Sequence, residues 1–76
     1  MGAGGAVTIA GRTFTLGAVY APRAGRAGRR PRRLLRYEPD SPLPGGWVAL
    51  ALVPSGRRRV MAGEAWAAWA GEEVAP

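Results

Sequence analysis

A chain of 76 residues with a net charge of +6 holds one small domain and not two. It contains no Cys, His, Lys, Asn or Gln, which excludes a disulfide framework, a cysteine–histidine zinc site and a thiol or imidazole nucleophile. The apolar run Trp47 to Val53 is far shorter than the ~20 residues a membrane span needs, and Met1 to Gly5 has neither the basic start nor the apolar stretch of a signal peptide, so the expectation is a soluble intracellular protein.

Residues 1–5, with Gly2, Gly4 and Gly5, read as a flexible tail. Val7-Thr8-Ile9 and Arg12-Thr13-Phe14-Thr15-Leu16 alternate apolar and polar around Ala10-Gly11, the pattern of two strands joined by a two-residue turn. That register sets Val7 opposite Phe14 and Thr8 opposite Thr13, with Ile9 and Leu16 on the Val7 face. Gly17 to Tyr20 carries the extended chain onward to Ala21-Pro22-Arg23. Residues 23–33 combine Gly, Pro and Arg with no large apolar side chain and form an exposed basic loop.

Leu34 to Tyr37 resumes a strand, with Leu35 and Tyr37 facing inward. Pro39 to Gly46 forms another loop, in which Pro39-Asp40-Ser41-Pro42 reads as a rigid turn in preference to a polyproline-type ligand. Trp47 to Val53 and Arg57 to Ala62 flank Pro54-Ser55-Gly56, which suits a three-residue hairpin loop with Gly56 left-handed. The implied register turns Val48, Leu50, Leu52 and Val60 inward, and sets Arg57, Arg59 and Met61 beside Trp47 on the outer face. Glu64 to Ala70 reads as a helix of about two turns, Trp66 and Trp69 sharing a face and Glu64 near the N-terminus. Gly71 ends it, and residues 71–76 form an acidic tail.

These elements predict an all-β domain over residues 6–70. About five short antiparallel strands curl into a small SH3-like barrel, and the tryptophans of a short C-terminal helix close one end. Val7-Thr8-Ile9-Ala10-Gly11-Arg12-Thr13-Phe14, Tyr20-Ala21-Pro22-Arg23 and Trp66-Ala67-Ala68-Trp69-Ala70 together resemble small SH3-like barrel proteins of phages and mobile elements. The resemblance spans most of the chain and implies a binding role, in the cytoplasm of a bacterial host.

Alanine, glycine, proline and arginine make up more than half of the residues, and all four have GC-rich codons. Arginine in place of lysine is therefore as readily codon drift as selection for guanidinium chemistry. Drift does not dictate where the arginines fall. Seven lie between Arg23 and Arg36 with no acid among them, and a second run is Arg57-Arg58-Arg59. Antiparallel pairing of residues 33–38 with 47–53 brings Arg33 near Val53, at the end where Arg57 begins its strand. Glu38 and Asp40 then lie a strand length away, ~17–20 Å, beyond the ~8 Å physiological screening length.

A polarised basic end is the footprint of a polyanion binder, and the arginine fork bonds phosphate oxygens in pairs and stacks on bases. The candidate binding set is Arg29, Arg30, Arg32, Arg33, Arg57, Arg58 and Arg59. Trp47 is a candidate stacking or protein-contact residue, or else is buried against Trp66 by the returning helix. Gly28-Arg29-Arg30-Pro31-Arg32-Arg33 resembles an AT-hook, but its glycine precedes both arginines instead of separating them.

Ser41 and Ser55 lie in turns without a base to activate them, and the five acids are scattered. No catalytic residue, metal site or cofactor is therefore expected, and no small-molecule substrate. The expected function is a non-enzymatic module that holds a DNA or RNA backbone with low sequence specificity. The alternative is a phage-encoded inhibitor or adaptor that binds a host protein complex through an acidic surface, its own exposed strand edge or the Trp47 face.

Overall fold

In the computed structural model, which describes residues 5–23 and 30–74, the chain is mostly β with one short helix. The first hairpin forms as its alternation dictates. Strand β1 (Ala6–Ile9) pairs antiparallel with β2 (Arg12–Thr15), Val7 opposite Phe14 and Thr8 opposite Thr13. Ala10 and Gly11 both take positive φ, 49° and 82°, the backbone of the two-residue turn whose twist matches the strands. Ile9 and Phe14 are fully buried.

The remaining strands are β3 (Val19–Pro22), β4 (Arg32–Glu38), β5 (Trp47–Leu52), β6 (Arg58–Ala62) and β7 (Ala70–Val74), with helix α1 (Gly63–Trp69) between the last two. They form a five-stranded antiparallel sheet in the order β6-β5-β4-β3-β7, and β1-β2 is a separate two-stranded sheet. The expected barrel does not close: among the described residues β6 and β7 are the two sheet edges. The radius of gyration is 11.3 Å, in line with ~11 Å for a compact chain of this length.

Hairpin and helix cover one face of the large sheet, here the inner face. Between them lies a core of Ile9, Phe14, Tyr20, Leu34, Val48, Leu50, Trp66 and Trp69. Its aromatic centre is edge-to-face: Phe14–Tyr20 at 5.2 Å, Phe14–Trp66 at 5.7 Å and Tyr20–Trp66 at 5.8 Å between centroids, the geometry favoured by ring quadrupoles. Both helical tryptophans are buried. Loop 39–46 supplies the helix entrance: Gly63 N–H donates to Gly46 C=O (2.9 Å) and Glu64 N–H to Pro44 C=O (3.1 Å). These bonds replace the side-chain cap that Ala62 lacks.

Three local expectations are corrected. Leu34, not Leu35, takes the core position in β4, because the pairing shifts between Leu34 and Arg36 and the extra residue resets the alternation so that Tyr37 still faces inward. The β5–β6 loop holds four residues, 53–56, with Leu52 N–H donating to Arg57 C=O at 2.8 Å. Pairing is thus one residue out from the three-residue loop, and a one-residue slip exchanges the faces of a strand. Arg59 and Met61 pair with Leu50 and Val48 on the inner face, and Val60 turns outward, 55% exposed. Lastly, Ala70 to Val74 is not a loose tail but edge strand β7, paired with β3. Its glycine and glutamates give little strand signal, while charge suits an edge.

Candidate nucleic-acid interface

The strand pairing gathers the arginines. Arg33 pairs with Ala51, and Ala51 pairs with Arg58, so the two guanidinium side chains sit on the outer face in one cross-strand row. Their strands are two inter-strand spacings apart, about 10 Å. Arg32 pairs with Leu52 and Arg59 with Leu50, which sets both on the inner face. Arg57 follows the loop at the same end, and exposed Arg30 precedes β4. Six of the seven expected residues therefore meet at one end of the sheet. Arg29, with the loop segment 24–29, lies outside the described residues, as do residues 1–4 of the N-terminal tail and residues 75–76.

The two faces hold their arginines differently. Arg33 is exposed, and its Nη1 donates to Gly17 C=O at 2.6 Å. Arg58 and Arg59 project into solvent. Arg32 is half-buried: its guanidinium lies over the Trp69 ring at 4.2 Å, and among the described residues Nη1 has only the weak acceptor Met61 Sδ at 3.5 Å and the buried Nε has no partner. Burial, and then the like charge of Arg59, hold the Arg32 pKa below the usual arginine value. With Leu50, Leu52, Met61 and Arg30, these two arginines line an open groove of about 460 Å³.

Trp47 is not part of this end. It pairs with Glu38 and Ala62 at the far end of β5, five residues or ~17 Å from Leu52. The half-buried ring is not in the core cluster either, so neither its expected place beside Arg57 and Arg59 nor its burial against Trp66 is seen. Glu38 does sit at the far end, as its sequence position implies. Glu73, however, pairs with Tyr20, which pairs with Arg32. The acids of β7 thus occupy the opposite edge of the sheet at the basic end, and the charge is divided edge from edge as well as end from end.

Sequence reasoning missed Arg12. Its Nη1 donates to Ala67 C=O (2.5 Å) and Ala70 C=O (2.7 Å), and its Nη2 to Gly71 C=O (3.4 Å), where α1 passes into β7. Burial, then the nearby Arg23, lowers its pKa, with Tyr20 acting in the opposite sense. A signal existed: the hairpin register puts Arg12 opposite Ile9, on the face of Phe14, where a solvated arginine has no place. Met61 was missed as a groove wall because the hairpin register was one residue out, while Leu52 was already turned inward.

Among the described residues no helix is long and apolar enough to cross a membrane. No family model matches the chain, nor does any curated protein or solved structure.

Proposed function

We propose that the protein is a non-enzymatic module that holds a nucleic-acid backbone at its basic end with low sequence specificity. The observation that carries this reading is the row Arg33–Ala51–Arg58, flanked by Arg30, Arg32, Arg57 and Arg59. Strand pairing sets Arg32, Arg33, Arg58 and Arg59 side by side, Arg30 and Arg57 adjoin them in the chain, and the planar forks of all six match phosphate oxygens. The SH3-like reading belongs here too. A meander β3 to β6, with β7 returning to pair with β3, is one way a short chain bends a sheet about a single core. Origin in a phage or a high-GC bacterium, and action in the bacterial cytoplasm, complete the proposal.

Titration of labelled DNA and RNA at several salt concentrations tests it. Six phosphate contacts on duplex DNA give a slope of log K against log salt of about −5. The exposed pair Arg33→Ala and Arg58→Ala should flatten that slope by about two. Binding that is weak even at low salt, or indifferent to the substitutions, would overturn the reading.

A second reading rests on a different observation: β6 is an open sheet edge carrying exposed Val60. Such an edge can accept a strand from a protein partner. A partner captured from nuclease-treated host lysate, and lost on Val60→Asp, would favour an inhibitor or adaptor. Capture that is unchanged by Val60→Asp would exclude this edge.

A further inference from the structure

The inner-face groove is chemically unlike the outer row. Arg33 and Arg58 stand on an open sheet surface that any phosphate backbone reaches. Arg32 and Arg59, with Arg30 as a third cation, stand at a groove whose other walls, Leu50, Leu52, Val60 and Met61, are apolar. Arg32 is also restrained. Its guanidinium lies over the Trp69 ring at 4.2 Å, a contact that restricts its rotamers and lowers the entropy left to lose when it binds. Among the described residues its Nε is buried without a partner and the charged neighbour that acts on it is another cation, Arg59. A preorganised, partly desolvated cation beside a second one favours an anion between them. Apolar walls beside that anion add nothing for a bare phosphate and are useful to a ligand with a flat apolar part.

We propose that the groove seats one unstacked nucleotide of a single strand, its phosphate between Arg32 and Arg59 and its base against Leu52 and Met61. This rests on the nucleic-acid reading above and selects a single strand over a duplex. A volume of about 460 Å³ lies within the range of small-ligand sites. A duplex keeps its bases stacked inside and offers the groove only its sugar-phosphate exterior. A single strand turns a base outward at low cost, and such contacts tolerate any base.

The test compares three probes on the whole protein: a labelled single-stranded oligonucleotide, the duplex of the same sequence, and inorganic polyphosphate as competitor. The single strand should bind about tenfold more tightly than the duplex at equal salt. Arg59→Ala, at an exposed position that leaves the core intact, should weaken single-strand binding about tenfold, as loss of a charge-assisted phosphate contact does. Arg58→Ala on the outer face should cost single strand and duplex alike. Met61→Gln should weaken the single strand about threefold without affecting the duplex or polyphosphate, and Met61→Leu, which keeps the wall apolar, should restore the preference. Equal affinity for single strand, duplex and polyphosphate, indifferent to Met61→Gln, overturns the seating while leaving backbone binding intact. Failure to bind any of the three at low salt overturns both.

Discussion

Arg12 and Arg32 are both half-buried guanidinium groups, and their surroundings give them opposite roles. Arg12 donates to the Ala67 and Ala70 carbonyls, acceptors that a helix end leaves without intrahelical partners, and lies over Phe14 at 4.9 Å. Its hydrogen-bond demand is met by backbone, so its role is structural. Arg12→Ala should cost about 2 kcal/mol, seen as a melting temperature lower by roughly 10–15 °C, with Arg12→Lys recovering part, since a lysine is a point donor without the fork. Arg32 has a ring beneath it and, among the described residues, no strong acceptor, which suits it to a ligand. Burial holds the pKa of both below the ordinary arginine value. The folded state thus disfavours their charged forms at every pH below those lowered values, and stability gains from them only as pH rises into arginine's alkaline range. Neither group should contribute a slope to stability between about pH 5 and 9, which denaturant melts across that range would check.

Among the elements, the entrance to α1 depends most on one residue. A Cβ on Gly63 would run into the Gly45 carbonyl oxygen, and one on Gly45 would come within 2.6 Å of Glu64 N. Helix and loop therefore touch backbone to backbone. Gly63→Ala should cost about 2–3 kcal/mol through forced separation of the two. Gly56, at φ +79° with open space around it, pays only for its left-handed backbone, and Gly56→Ala should cost about 1 kcal/mol. Urea unfolding of the two variants separates contact from conformation; similar losses would mean that the close approach does not hold. The first hairpin was legible in sequence because its alternation, turn residues and register all agree within ten residues. The β5–β6 hairpin was not, since Pro54-Ser55-Gly56 is compatible with a loop of three residues or four, and only the packing of Leu50 and Val48 against the core selects between them. β7 was hidden for a related reason: its pairing partner β3 lies about fifty residues earlier in the chain, roughly ten strand lengths.

For the molecule as a whole, the dominant feature is a positive charge collected on β4 and β6 at one end, with the acids of β7 at the opposite edge of the sheet. Self-repulsion among those arginines weakens the folded state, and a bound anion relieves it. Polyanions should therefore raise the melting temperature. At a hundred times the dissociation constant the gain is about 2.7 kcal/mol, and it should shrink as salt rises, because exposed charges are screened within ~8 Å at physiological ionic strength. Thermal melts with and without polyphosphate at two salt concentrations would measure this. An unchanged melting temperature at low salt would mean that the basic end holds no anion.

What the sequence alone determined is local or compositional: a mostly β chain, the first hairpin and its register, the aromatic helix, and the nearness of Arg32 and Arg33 to the Arg57–Arg59 run. The tertiary structure alone decided which face each arginine occupies, that Arg12 is structural while Arg32 borders a groove, that Trp47 stands apart, and that the sheet stays open with an acidic edge. The physical reason is the strand's two-residue period. Composition places a residue in a strand, but one extra residue in a loop or a bulge exchanges the two faces, and that count is settled only by what the core accepts.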